Sequence, residues 1–324
     1  MTEPWDLKTQ MLDAIQEKGG FVNCHAHIDK SFYITKEHLA DSMVTMEKKW
    51  NMSDHIKRED TEEDIERRIT QALKLMYKQG VHMTQSFIDA HEAMGHKGIN
   101  AATKIQKKYG KYIQLITATQ PLGGLLDPNA VALYEAITEK ANIAGGLPSF
   151  DRPYDNKSFD TLFSIAKNLN KPIHIHIDQE NNPYERDTEK VLYYTKKYGY
   201  EGRVTVVHAI SISAQPKEYR TTIYKEMAHL GIAVVVCPSA AISMPQHDTK
   251  IGNVHNSIAN IPEMLEHGVL VGLGVDDICD FYLPFVDADM WVETRMLMEA
   301  CRFYDFDAVV DICTVNGRKI LERT

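Results

Sequence analysis

Residues 172–178 read PIHIHID. Isoleucines alternate here with His174, His176 and Asp178, and successive side chains of a β-strand point to opposite faces. The pattern therefore predicts a strand with one apolar and one polar face. Burying three polar groups is costly unless each has a partner. The polar face is interpreted either as a hydrogen-bonded layer in a core or as part of a ligand site.

Seven other short apolar runs recur along the chain. They begin at Phe21 (FVNCHAH), Val81 (VHMTQSFI), Tyr112 (YIQLITAT), Asn142 (NIAGGL), Arg203 (RVTVVHA), Ile232 (IAVVVCP) and Val269 (VLVGLGVDD). Segments of helical period lie between them, for example at 62–78, 128–140, 159–169 and 185–197. Eight strands that alternate with helices predict an α/β fold, a TIM-like (β/α)8 barrel. A doubly wound sheet is the alternative, but no Gly-rich phosphate loop follows the first strand.

The amino-acid composition limits the classes of binding partner. The 45 acidic and 36 basic residues give a net charge of −9, without a basic run for nucleic acid or a membrane surface. No stretch has the roughly 18 apolar residues of a membrane span, and the five cysteines show no CxxC pairing. We expect a cytoplasmic protein that acts on a small molecule, with residues 1–324 as one barrel domain and homo-oligomerisation left open.

His25-Ala26-His27 ends the first predicted strand. Residues two apart on a strand point the same way, so both imidazoles can reach one point inside a barrel. Imidazole nitrogen suits Zn, Fe, Co or Ni at neutral pH. An isolated motif of this kind also arises by chance, but its position after an apolar run favours a metal site.

Two further polar signals follow predicted strands. His208 ends RVTVVHA, and Asp276-Asp277 follow VLVGLGV. A lone histidine can be a satisfied core residue, and paired acids can cap a helix. With His25 and His176, however, these residues fall on strands one, five, six and eight, whose C-terminal ends share one barrel mouth.

The residues resemble the amidohydrolase superfamily, and within it the bacterial cytosine deaminase group, over nearly the whole chain. The motifs that carry the resemblance are CHAHIDKS at 24–31, HIHID at 174–178, VVHAIS at 206–211 and GLGVDDICDFYLPF at 272–285. The resemblance implies one divalent metal ion, Zn or Fe. The implied metal ligands are His25, His27, His176 and Asp276. A single ion is favoured because NIAGGLPSF lacks the lysine that bridges two metals in other members.

The resemblance also implies a reaction, the hydrolysis of a C–N bond in a small, cyclic nitrogen compound by a metal-activated water. The enzyme would be a deaminase or an amidohydrolase. Asp276 would act as base, and His208 and Asp277 would stabilise developing charge. The implied substrate contacts and neighbouring pocket residues are Gln120, Asp178, Lys30, Trp50, Phe281, Gln85, Asp89 and Arg152.

Two departures from the group stand out. Gln179 occupies the position of a proton-carrying glutamate, and an amide cannot carry a proton. Glu180 is the candidate replacement, although strand alternation would aim it at the opposite face. The accessory β-sandwich of many members is also expected to be missing. Alternatives left open are a metal-binding barrel without catalysis, with a binding or regulatory role, and a binuclear hydrolase of the lactonase or phosphotriesterase type.

Overall fold

The computed structural model describes residues 5–243 and 258–323. The strands in these ranges are β1 (Phe21–Asn23), β2 (Val81–Asp89), β3 (Gln114–Gln120), β4 (Ala144–Gly146), β5 (Ile173–Ile177), β6 (Val204–His208), β7 (Ala233–Val236) and β8 (Val271–Leu273). All eight correspond to predicted apolar runs.

The strands form a closed parallel barrel. β1 to β3 pair in one ladder and β4 to β8 in another, each strand beside the next in the chain. Two parallel bridges, Ala26 with Asp276 and Ala118 with Ile143, join the ladders at both edges. The Cys24 amide donates to the Leu273 carbonyl at 2.8 Å across the first of these seams. The predicted (β/α)8 barrel is confirmed.

Helices surround the strands. Their bounds are α1 (Leu7–Glu17), α2 (Met46–Glu59), α3 (Glu62–Lys78), α4 (Lys97–Tyr109), α5 (Pro128–Lys140), α6 (Asp155–Asn168), α7 (Asp187–Tyr198), α8 (Lys217–His229), α9 (Pro238–Ile242), α10 (Ile261–Glu266), α11 (Met290–Cys301), α12 (Phe306–Cys313) and α13 (Val315–Leu321). α3 and α5 have their predicted bounds, and α6 and α7 lie within a few residues of theirs. α2, in the connection after β1, was not predicted.

Local sequence explains where several helices begin and end. Thr61 and Asp64 form a reciprocal capping box at the start of α3. Asp127 accepts from the first free amides of α5, whose first residue is proline. α7 ends at Gly199, which has a left-handed φ of 65°. None of the described helices is both long and apolar enough to cross a membrane.

The two faces of β5 show how the barrel is packed. Ile173, Ile175 and Ile177 are fully buried in the large apolar cluster between strands and helices, so the alternating histidines point into the barrel. Neighbouring β4 has to be glycine-rich here. A Cβ at Gly145 would lie 1.8 Å from the Thr119 carbonyl oxygen. The histidines of the polar face predicted for residues 172–178 therefore face the barrel interior, whereas Asp178 lies beyond the end of β5.

Candidate metal centre and active-site cavity

Four histidines from three strand ends meet inside the barrel mouth. The ring centroid of His25 lies 4.9 Å from those of His27 and His176 and 5.8 Å from that of His208. All four rings are buried. We call these rings, together with Asp276, the histidine cluster. His174, one step further down β5, is buried outside it.

Asp276 joins the cluster from the end of β8. Its Oδ1 lies 3.1 Å from His25 Nε2 and 3.3 Å from His27 Nε2, and its Oδ2 lies 3.8 Å from His208 Nε2. Asp276 and His208 have left-handed φ angles of 66° and 79°. Such angles cost about 1–3 kcal/mol in residues other than glycine and concentrate at functional sites. The backbone here is shaped to aim these two side chains inward.

Close packing supports the cluster from below. Phe87 of β2 contacts three of its rings, with centroid distances of 4.4 Å to His176, 5.1 Å to His25 and 5.5 Å to His27. A Cβ at Gly274 would lie 2.6 Å from the His25 Cβ, so only glycine fits beside that histidine. Sequence analysis did not identify Phe87 or Gly274 as site residues, because each resembles an ordinary strand residue.

Burial favours the neutral form of three imidazoles, those of His25, His176 and His208. It lowers the pKa of His25 to about 4, although Asp276 opposes the effect, and it lowers the pKa values of His176 and His208 as well. Burial works against ionisation of Asp276 too, but His25 and His27 outweigh it and hold the pKa of Asp276 well below its usual range. The cluster therefore presents imidazole lone pairs beside a carboxylate.

This donor set fits a divalent cation. Ligand atoms on an ion with bonds near 2.1 Å are roughly 3.0–3.4 Å apart, and the Asp276 distances to His25 and His27 fall in that range. His176 Nδ1 lies 3.2 Å from the Gly146 carbonyl oxygen, which places the proton on Nδ1 and leaves Nε2 for an ion. His25, His176 and His208 also form a group of mutually close donor atoms.

A cavity of about 520 Å³ opens above the cluster. The predicted site residues that line it are His27, His176, His208, Asp276, Asp277, Lys30, Trp50, Gln120, Arg152, Gln179 and Glu180. The Oε1 atom of Gln120 has no hydrogen-bond partner within the described ranges. A buried, unpaired amide oxygen beside a cavity is suited to accept from a ligand.

The segment after β5 brings both Gln179 and Glu180 to the cavity. Asp178 has a left-handed φ of 49°, which ends strand alternation before these two residues. The Gln179 amide donates to Ser149 Oγ at 3.3 Å. Strand alternation was expected to aim Glu180 away from the face of Gln179. That expectation does not hold, because both residues lie beyond the end of the strand.

Four of the predicted pocket residues do not line the cavity. Asp178 accepts from the backbone amides of Asp187 (2.8 Å) and Thr188 (3.1 Å) and holds the start of α7. Phe281 packs toward Tyr33, with ring centroids 6.4 Å apart. The other two, Gln85 and Asp89, are fully buried away from the cavity.

Tyr282 lines the cavity next to Phe281 in sequence. Lys30 lies 4.3 Å above the Tyr282 ring, and its Nζ is 2.9 Å from Asp277 Oδ1. Burial acts to lower the pKa of Lys30, but Asp277 and other acids outweigh it and raise that pKa well above its usual value. The wall beside Asp276 thus carries its own buried ion pair.

A second buried polar group, the Lys57 cluster, lies where α2 meets β2. Lys57 Nζ is 2.8 Å from Asp89 Oδ2 and 3.2 Å from Asp54 Oδ1, and Asp54 Oδ1 lies 2.8 Å from His91 Nε2. The side chains of Lys57 and Asp89 are fully buried. These four residues anchor α2 to the barrel.

Fold and site together define a (β/α)8-barrel protein with a histidine–carboxylate cluster at the mouth that could hold a metal ion. The sequence profile of the Amidohydrolase family matches residues 19–324. The chain belongs to the amidohydrolase family. It is accordingly a metal-dependent hydrolase that acts on C–N bonds other than peptide bonds.

Individual relatives agree with this placement. An uncharacterized protein from Haemophilus influenzae is 34% identical over 263 residues, covering 80% of this chain and 95% of that protein. The N-isopropylammelide isopropyl amidohydrolase of Pseudomonas sp. (strain ADP) is 25% identical, and the match covers 95% of this chain and 77% of that enzyme. The structure of 5-methylcytosine deaminase from Klebsiella pneumoniae with phosphonocytosine superposes with a TM-score of 0.84 at 19% identity, covering 93% and 75% of the two chains. The predicted membership of the amidohydrolase superfamily is confirmed, and the chain shares its fold with this deaminase.

Proposed function

We propose that the protein hydrolyses a C–N bond in a small, cyclic nitrogen compound, with water activated at one divalent metal ion held by His25, His27, His176 and Asp276. The observation that carries the proposal is the meeting of these four side chains beside the cavity. Two relatives bear names that specify a triazine and a pyrimidine substrate. A substituted ring of this kind is the substrate class we favour.

The chain's own residues divide the work around the reacting carbon. A divalent ion held by His25, His27, His176 and Asp276 would supply a water of lowered pKa and would polarise the substrate. Asp276, the carboxylate nearest the imidazoles, accepts the proton of the attacking water and returns it to the leaving nitrogen. His208 donates toward the oxygen that gains charge. The Gln120 Oε1 atom accepts a hydrogen bond from a ring N–H.

Glu180 is the proton carrier that we propose in place of the family glutamate. It lines the cavity, whereas the neighbouring Gln179 donates its amide to Ser149. A carboxylate can take and return a proton, and an amide cannot. The left-handed Asp178 explains how Glu180 reaches the same side as Gln179.

A single ion is supported over a binuclear site. β4 contributes Ala144, Gly145 and Gly146 and no lysine. His27, Asp276 and Asp277 form a second group of close donor atoms, but Lys30 already places a positive charge 2.9 Å from Asp277. A second cation there would meet strong repulsion. We propose Zn or Fe, because imidazole-rich sites suit both.

One experiment tests the function. Purified protein would be analysed for metal and assayed for ammonia and amine release from pyrimidines, triazines, creatinine-like rings and amides. We expect about one ion per chain and turnover of at least one ring, both lost in Asp276→Asn and retained in the exposed control Asp287→Asn. Bound metal without turnover of any compound would favour the catalytically inactive barrel instead, and two ions per chain would favour the binuclear type.

Two broader predictions remain proposals. We propose that residues 1–324 form one domain. We also propose a cytoplasmic location, which is supported by five cysteines that are all unpaired in the structure.

A further inference from the structure

One face of α2 forms part of the cavity wall. Met46, Lys49 and Trp50 line the cavity, and residues three and four apart share a helix face. Further along the helix, Lys57 is fully buried against Asp89. α2 thus lies across the barrel mouth, with its first turns over the cavity and its last turns anchored.

The other cations of the cavity wall have carboxylate partners. Lys30 pairs with Asp277, and Arg152 Nη2 lies 2.6 Å from both Glu185 Oε1 and Asp187 Oδ2. Glu180, the remaining acid on the wall, also has interactions of its own. The charges of Lys30 and Arg152 are therefore already paired within the protein.

Lys49 differs from them. It is half-buried, and across residues 5–243 and 258–323 it makes no ion pair. Its Nζ lies 5.9 Å from the centroid of the Tyr282 ring. Burial lowers the pKa of Lys49, which the charges of Asp280 and Asp277 offset only in part. Partial burial of a cation without a counter-ion is unfavourable, and an anion entering the cavity would remove that cost.

We infer that the substrate is an anionic ring compound whose carboxylate pairs with Lys49 under α2. The inference rests on the proposed function in that it takes this cavity as the substrate site. The aromatic rings of Trp50 and Tyr282 contribute to the same wall and suit the flat, apolar faces of such a ring. Lys49 then selects among rings that the metal centre alone would treat alike.

The test compares charged and neutral forms of one ring. Binding of orotate against orotamide, and of 5-carboxycytosine against its 5-carboxamide, would be measured by calorimetry on the metal-loaded protein. The two pairs place the carboxylate at different ring positions. We expect at least one carboxylate to bind about tenfold more tightly than its amide, as a partly buried ion pair worth about 1.4 kcal/mol would give. Lys49→Met should abolish the preference and Lys49→Arg should keep it, while exposed Lys48→Met serves as the matched control.

Equal binding of both forms, a preference that survives in Lys49→Met, or no binding of any of the four probes would overturn the inference. Its failure is separable from failure of the proposed function. Hydrolysis of a neutral ring with no advantage for a carboxylate leaves the function standing and removes the role of Lys49. Selective, Lys49-dependent binding of carboxylates by a protein that hydrolyses none of the compounds would support the role of Lys49 and contradict the proposed function.

Discussion

The histidine cluster and the Lys57 cluster are both buried, both polar and both close to the barrel mouth, but their charges are arranged differently. Lys57 lies within 3.2 Å of two carboxylates, so positive and negative groups of the chain meet directly. In the histidine cluster, the imidazole nitrogens lie close to the Asp276 carboxylate at one point. In the first arrangement a lysine of the chain lies between the carboxylates, whereas the Asp276 carboxylate of the second pairs with no lysine or arginine of the described residues and is suited to bind a cation. Burial alone does not distinguish an anchor from a candidate active site, but the presence of such a lysine does.

The largest expected difference between the two clusters is at Asp276. Asp276→Asn keeps the side-chain shape but removes the negative charge and the basic oxygen. We expect loss of bound metal and a fall in kcat of about 10³-fold or more, measured by elemental analysis and steady-state kinetics. Turnover within a few-fold of the wild type would contradict the assignment of Asp276 as ligand and base.

Replacing Lys57 should change the stability of the protein and not its metal content. Lys57→Met removes the cation but leaves Asp89 buried, and breaking a buried ion pair from one side costs about 3–5 kcal/mol. We expect the free energy of unfolding to fall by that amount in urea denaturation, with the metal content of the folded protein unchanged. Lys48→Met is the control on the same helix. Loss of metal with unchanged stability would erase the distinction between the two clusters.

Replacing Glu180 tests a residue that lies in the cavity but outside the histidine cluster. Glu180→Gln should lower kcat about 10²-fold, because a positioned proton carrier contributes that much, and should leave metal content unchanged. Gln179→Glu serves as the paired variant and should change kcat far less. If Gln179→Glu raised kcat strongly while Glu180→Gln had no effect, the proton would travel through the family position instead.

Glu293 of α11 belongs to neither cluster, and among residues 5–243 and 258–323 no cation forms an ion pair with it. Burial raises its pKa to about 7, despite hydrogen bonds from the Ser239 side chain and backbone amide. The folded protein therefore holds this proton to about pH 7, while the unfolded chain releases it near 4.5. The contribution of Glu293 to stability falls as the pH rises through that interval and stays low above it.

The amide in Glu293→Gln cannot ionise, so the variant should not lose this stability as the pH rises. We expect the variant and the wild type to be equally stable at pH 4, and the variant to be more stable by on the order of 2 kcal/mol at pH 8. Thermal or urea unfolding at both pH values measures the difference. An unchanged difference between pH 4 and 8 would show that the carboxyl is already compensated in the folded protein.

Much of the site was predictable because barrel topology converts sequence position into spatial position. His25, His176, His208 and Asp276 each follow an apolar run, and the C-terminal ends of parallel strands share one mouth. Lys30 and Trp50 were expected near the pocket and line it. Asp178 and Phe281 satisfied the same rule of position but turn to α7 and Tyr33, respectively. Position near a strand end does not fix which neighbour a side chain meets.

Local residue patterns were enough to predict the eight strands, the histidine and aspartate motifs and the family, because these depend on period, composition and spacing. Which side chains share the cavity became clear from the folded chain. The left-handed backbone at Asp178 brings Glu180 to the cavity, and α2 brings Lys49 there. Both depend on a backbone angle or a helix position set by packing between distant segments, and local residue patterns do not encode either one.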